Sequence, residues 1–218
     1  MPFLIDLHCH TLDHSHDGKV DAVEMLHALR AAGFAGVTFT DHNYVWPAEE
    51  LEDLRRRAEM PADFVLLSGQ EVRVSDNDIT LGDLLIYGLK DSYQDGTSIR
   101  EILGAVKAHG GFAIAPHPGV PRKGLCDHVS SYPLLAIETW NGRYGAKVAR
   151  ESAALAQKHQ LIAVGGSDSH RLEDIGGGGT MFERLPRTLP ELAEMVRAGE
   201  AKPWQPSLLQ GLKRYLKG

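Results

Sequence analysis

Short apolar runs alternate with amphipathic stretches along the chain. Phe3–Leu7, Gly36–Thr40, Phe64–Leu67, Phe112–Ala115, Leu134–Thr139 and Leu161–Val164 are brief and apolar, which predicts buried strands. Asp83–Leu89 reads as a further, returning strand. Asp21–Ala32 carries Ala22, Val23, Met25, Leu26 and Leu29 at helical spacing and stops at Gly33. Ala48–Ala58 reads as a charged surface helix. Ser98–His109 opens on Ser98 with Glu101 three residues on, the capping-box pattern. Ala146–His159 and Leu189–Ala198 complete the predicted helices. Strands alternating with helices imply an α/β fold with a mostly parallel sheet. No repeat or linker divides the chain, so residues 1–218 read as one domain. A tail from about Pro203 carries Leu208, Leu209, Leu212 and Leu216 at the spacing of an amphipathic helix.

The residues after each strand change the picture. Ile5 leads into Asp6, His8 and His10, and Thr38–Thr40 into Asp41 and His42. Leu66–Leu67 leads into Glu71, and Ile114–Ala115 into His117. Ile137 leads into Glu138 and Asn141, and Val164 into Ser167, Asp168 and His170. All are polar and able to bind a metal. A closed α/β barrel gathers such strand ends on one face, whereas a doubly wound sheet spreads them along a crevice. So many contributing strands favour a barrel, distorted because 218 residues is short for eight full units. The two-residue period of a strand places His8 and His10 on one face and Cys9 on the other. Asp168 and His170 repeat the spacing of Asp6 and His8.

Composition excludes several classes. No apolar run is long enough for a membrane span. The N-terminus lacks the basic and apolar regions of a signal peptide. With Cys9 and Cys126 as its two cysteines, the chain has no disulfide framework, and a cytoplasmic setting is expected. A net charge of -6 without a basic block argues against long nucleic-acid tracks. Histidine is the unusual entry in the composition, at 11 residues. His27, His109, His128 and His159 fall on helices or in a loop and suit structural or surface roles. Gly176–Gly179 lacks the Lys-Ser/Thr of a phosphate loop and reads as a flexible loop near the site.

The segments DLHCHT (6–11), DG (17–18), TDH (40–42), GQE (69–71), HP (117–118) and GSDSH (166–170) resemble, in order, the motifs of the PHP (polymerase and histidinol phosphatase) family. IETWNGR (137–143) and SDSHRLEDIG (167–176) resemble its stand-alone members. The resemblance implies a distorted (β/α)7 TIM-like barrel holding two or three divalent ions (Mn, Fe or Zn). It implies that His8, His10, Glu71 and Asp168 bind a first ion, with Glu71 bridging to a second that His117 also holds. A third would take His42, His170 and a group from the Asp13–Asp17 loop, with His16 or Asp17 preferred over His14. At position 83 the family often has a histidine ligand. Here Asp83 stands there, either as a harder ligand favouring Mn or Fe over Zn or as no ligand.

The implied activity is hydrolysis of a small phosphate ester, a phosphomonoester such as histidinol phosphate or a nucleotide, or a phosphodiester. A metal-activated hydroxide would attack phosphorus. Asp168 would orient it and take its proton, and His170 or His42 would protonate the leaving oxygen. Arg143, Arg122, Lys123 and Arg171 are candidate phosphate contacts. Specificity is expected in the loops Tyr44–Ala48, Arg73–Gly82 and Gly119–Cys126. Beside a nuclease or polymerase-associated proofreading unit, which the acidic balance and the chain length disfavour for long tracks but not for mononucleotides or short oligonucleotides, two other readings remain open. One is an amidohydrolase-like metal hydrolase of a C–N or C–O bond, disfavoured by the lack of a strand-end lysine. The other is a non-catalytic PHP regulatory module, disfavoured by the nearly full set of ligands.

Overall fold

The computed structural model of the protein describes residues 2–207. Its elements in chain order are β1 (Phe3–Asp6), α1 (Ala22–Ala31), β2 (Gly36–Phe39), α2 (Ala48–Arg57), β3 (Val65–Asp76), β4 (Ile79–Tyr87), α3 (Ile99–His109), β5 (Phe112–Ala115), β6 (Ala136–Asn141), α4 (Ala146–His159), β7 (Ala163–Gly166), β8 (Gly179–Phe182), α5 (Leu189–Arg197) and β9 (Ala201–Trp204). The strands form one sheet in the order β7-β6-β5-β4-β3-β2-β1-β8-β9. β1–β3 are parallel, as are β5–β7. β4 joins the two blocks by pairing antiparallel with both β3 and β5.

The sheet curls into a nearly closed, distorted barrel. At one end β8 pairs antiparallel with β1, and its Thr180 spans to β7. The Thr180 hydroxyl accepts from Gly165 N at 3.0 Å and donates to Gly165 O at 2.7 Å. At the other end the chain beyond β1 meets the chain beyond β7. Asp168 N donates to His8 O at 2.7 Å, and His10 N donates to Ser169 O at 2.9 Å.

Inside, Ile5, Leu7, Val65, Leu85, Tyr87, Ile114 and Val164 pack with Leu192, Met195 and Val196 of α5. This apolar layer fills the barrel beneath the polar strand ends. Tyr87 Oη donates to Leu7 O at 2.7 Å across it. Gly69 is required here, because an added Cβ would fall 2.6 Å from Tyr87 Cδ1. Outside, α1 and α2 cover β2, while α3 covers β4 and β5.

The structure differs from the sequence expectations in several places. The sheet is mixed, not mostly parallel. β3 runs through Gly69-Gln70 and Glu71 to Asp76 because Val72 and Val74 continue its buried face. Arg73–Gly82 is therefore the far half of a β-hairpin and not a loop. Its turn is at Asn77-Asp78, both at positive φ, which their short polar side chains tolerate. Ser98 precedes α3 but its side chain makes no capping bond. The 176–179 run is buried rather than flexible: Trp140 Nε1 donates to Gly177 O at 2.8 Å, and Gly179 opens β8. Pro203 lies in edge strand β9, a place that tolerates a missing N–H. The predicted helix at Leu208–Leu216 lies outside the described residues.

Thr180→Val removes both bonds to Gly165 while keeping the side-chain shape. It should destabilise the protein by about 1–3 kcal/mol in urea unfolding, since Gly165 N is left buried and unpaired. A loss well below this would mean that Thr180 does not hold the barrel ends together.

Candidate metal centre

Three clusters of donor atoms, each within 4.8 Å of one another, lie at the strand ends: His8, His10 and Asp168; His8, Glu71 and His117; and His10, Asp17, His42 and His170. The local folding follows from strand periodicity. His8 and His10 share the inner face of the chain leaving β1, while Cys9 turns outward, its thiol 3.9 Å from Thr38 O. Glu71 lies within β3, beside the chain that leaves β2. Glu71 N donates to Asp41 O at 3.2 Å, and Asn43 N donates to Glu71 O at 3.0 Å. His117 and Asp168 both have left-handed backbone, with φ of 31° and 54°. This local strain aims their side chains inward and is typical of functional positions.

His8 Nε2 and His10 Nε2 are 3.1 Å apart. The other nitrogen of each ring is engaged. His8 Nδ1 lies 3.2 Å from Glu138 Oε1. His10 Nδ1 lies 3.2 Å from Ser15 Oγ, which itself donates to Asp41 Oδ1 at 2.7 Å. This network assigns the ring protons to Nδ1 and leaves two Nε2 lone pairs facing each other. Glu71 Oε2 stands 3.1 Å from His10 Nε2 and 3.4 Å from His8 Nε2. Asp168 Oδ1 lies 3.6 Å from His10 Nε2. Lone pairs and carboxylate oxygens converging on one point repel each other without a cation and become ligands with one. The donor set therefore fits a divalent metal.

Glu71 extends its other oxygen, Oε1, to 3.3 Å from His117 Nε2. Its two oxygens thus face two different clusters. In the third cluster Asp17 Oδ2 is 2.9 Å from His170 Nε2 and 3.6 Å from His42 Nε2. Asp17 Oδ1 is buried with no hydrogen-bond partner. That unpaired oxygen is a further sign that the cluster suits a cation.

The electrostatics agree. Burial works against charge on His8, yet Asp168, Glu138 and Glu71 outweigh it and hold its pKa well above the ordinary value. Burial would raise Glu71, but the charge on His8 first, and the nearby His10 and His117 rings after it, carry it well below the usual carboxylate range. His42 is likewise lowered by burial and raised, to about 9, by Asp17 and Glu71. Protons gather where a cation would otherwise stand. Asp6 differs: burial pushes it up to about 7, and it accepts bonds from Ser167 N at 2.9 Å and His8 N at 3.2 Å. It ties β1 to β7 and faces away from the clusters.

These sites line a cavity of about 230 Å³ with walls formed by Arg73, Asp83, Asp95, Lys123, Arg143 and Tyr144. The chain is 31% identical, over 147 residues, to an uncharacterised protein of Methanocaldococcus jannaschii, covering 62% of this chain and 80% of that protein. Residues 149–201 match the PHP-associated family. The chain belongs to the PHP family. Solved structures share the fold. One is provisionally named a metal-dependent phosphoesterase, from Bifidobacterium adolescentis (TM-score 0.59, 18% identity, 77% of this chain and 87% of that one). Another is an amidohydrolase of Chromobacterium violaceum (TM-score 0.62, 18% identity, 94% and 99%). A third is a lesion-specific endonuclease of Pyrococcus furiosus (TM-score 0.63, 16% identity, 93% of this chain but 58% of that one).

Within this PHP barrel, some residues singled out in the sequence lie apart from the clusters. His14 Nε2 is held by Glu50 at 2.7 Å, and its ring stacks on Tyr44. His16 is exposed on the cavity rim, its ring 5.2 Å from that of His42. Asp83 has both oxygens on Arg73, at 2.8 and 3.0 Å. Arg171 pairs with Glu173 at the surface, and neither it nor Arg122 lines the cavity. Lys123 and Arg143 do. Arg143 Nη1 stands 3.0 Å from both ring nitrogens of His170. Sequence reading passed over Ser15 and Tyr144, and took Arg73 only as the start of a specificity loop. A same-face spacing of two from Glu71 could have found Arg73.

Glu138 anchors the PHP centre from behind. It also accepts from His117 N at 3.0 Å and from Asn141 Nδ2 at 2.7 Å. Gly166 lets it approach, since a Cβ there would lie 2.3 Å from Glu138 Oε1. Glu138→Gln should weaken Mn²⁺ binding roughly 10–100-fold in a calorimetric titration. Unchanged affinity would show that Glu138 does not fix the His8 ring for ligation.

Proposed function

We propose that this chain is a metal-dependent phosphoesterase acting on a small phosphate ester. The supporting observation is the position of Glu71, one oxygen toward His8 and His10 and the other toward His117. That is the posture of a carboxylate bridging two cations. His8, His10, Glu71 and Asp168 would hold the first ion, and Glu71 and His117 the second. Asp17, His42 and His170, beside His10, would hold a third. When bound, divalent cations (Mn, Fe or Zn) would polarise a phosphoryl oxygen and lower the pKa of water at the centre.

The chain's own groups supply the rest. Asp168 Oδ2 accepts from Asn141 Nδ2 at 3.2 Å, which fixes the carboxylate. Its Oδ1 faces the clusters and is placed to orient the attacking water and take its proton. His170 and His42, when their cluster carries protons instead of a cation, are placed to protonate the leaving oxygen. Arg143 and Lys123 on the cavity wall would offset the phosphate charge.

The phosphoesterase reading is preferred over amidohydrolase-like chemistry because a glutamate, not a lysine, occupies the bridging place. The fold also serves a lesion-specific endonuclease, so a nucleic-acid substrate belongs in the test despite the acidic net charge. Among the described residues no helix is long and apolar enough to cross a membrane.

The test is to strip the protein of metal, reload it with Mn²⁺, Fe²⁺ or Zn²⁺, and assay it. The panel holds an aryl phosphate, sugar, nucleotide and amino-alcohol phosphates, and a duplex containing an abasic site. Metal-dependent phosphate ester hydrolysis is expected, and Asp168→Asn should lower kcat by about 100-fold or more. Absence of turnover on the whole panel, with metal bound, would overturn the proposal.

A further inference from the structure

We propose that Arg73 is an anion-recognition residue of this cavity, and that Asp83 is its positioning residue rather than a metal ligand. The inference rests on the phosphoesterase reading above and adds a residue that recognises its substrate. Arg73 and Asp83 are direct partners in the β3–β4 ladder. Strand alternation puts Arg73 on the same face as Glu71, about 7 Å further along. The pair is bidentate: Arg73 Nε meets Asp83 Oδ1 at 2.8 Å, and Nη2 meets Oδ2 at 3.0 Å. Fork pairing of this kind fixes a guanidinium in direction as well as in place. It uses two of the five guanidinium N–H groups and leaves the others for a ligand in the cavity that Arg73 lines.

Asp83 is correspondingly committed. It belongs to none of the convergent donor clusters among the described residues. Its Oδ2 is 3.9 Å from His117 Nε2, beyond direct contact, while both its oxygens are engaged by Arg73. Its backbone also braces this wall, because Asp83 N donates to Lys123 O at 2.6 Å and so fixes the chain that carries a second cation. The Arg73 backbone is held from the other side: Arg73 N donates to Asp95 Oδ1 at 3.1 Å, and Gly96 N donates to Arg73 O at 2.7 Å. A fixed guanidinium fork beside a lysine is suited to a tetrahedral oxyanion such as a phosphoryl group.

The experiment measures inorganic phosphate binding by calorimetry, with and without Mn²⁺, and the metal-to-protein ratio by elemental analysis. Arg73→Met should keep the wild-type metal ratio and weaken phosphate roughly tenfold or more. Arg73→Lys, which keeps charge but loses the fork, should fall between. Asp83→Asn should keep the metal ratio and weaken phosphate severalfold. If Asp83→Asn does not fold, the Arg73→Met/Asp83→Ala double variant, which removes both charges together, reports the metal ratio instead. Loss of an ion on changing Asp83 would overturn the proposal, as would wild-type phosphate affinity in Arg73→Met. A wild-type protein that takes up no metal would overturn the underlying reading instead, and the metal-free phosphate titration tells the two failures apart.

Discussion

Burying several carboxylates around two histidines is the constraint on which this structure depends. Glu71, Asp168 and Glu138 are each 2% exposed, and His8 and His10 are wholly buried. Isolated charges in such a place cost far more than a domain's net stability. Each must be hydrogen-bonded or matched by positive charge. Glu138 is matched by bonds from His117 N, Asn141 and the His8 ring. Asp168 takes a bond from Asn141 and lies 3.7 Å from the Arg143 guanidinium, but it and Glu71 otherwise face imidazole nitrogens, so the remaining compensation is left to protons or metal. A divalent cation supplies it without charging the rings.

The architecture serves that constraint. Parallel strands bring their ends to one face, and the antiparallel insertion of β4 adds a wall carrying Asp83 opposite Arg73. The apolar layer beneath, with Tyr87 crossing to Leu7, keeps the donors from sinking into the barrel. Closure through Thr180 and through the Asp168–His8 and His10–Ser169 backbone bonds holds β1 against β7, which fixes His8 and His10 relative to Asp168. The net charge of -6 then has a different meaning at the site. Much of the local acidity is turned inward toward the clusters, while Arg73, Lys123 and Arg143 reach the cavity wall.

Much of this was legible in the sequence because strand ends announce themselves. An apolar run followed by His8-x-His10 or Asp168-x-His170 fixes both the element and the face. The bounds of β5 and α4 were readable for the same reason, as sharp changes from apolar or amphipathic to polar. Cross-strand register was not readable. The pairing of Arg73 with Asp83 depends on a hairpin turn at Asn77-Asp78, and the apparent break at Gly69-Gln70 concealed the length of β3. Glycines misled in the same way at 176–179, where they permit close packing under Trp140 and not mobility. For the third cluster the sequence preferred His16 or Asp17 to His14 but did not choose between those two, because that depends on how the loop sets Asp17 against His170 and His42.

The central claim is that the strand-end donors exist to hold divalent ions. Anomalous diffraction from crystals grown with Mn²⁺ tests it most directly. The account predicts a peak bounded by His8 Nε2, His10 Nε2, Glu71 and Asp168, and a second across Glu71 beside His117. Crystals in which manganese is present but no anomalous density lies between these side chains would contradict it.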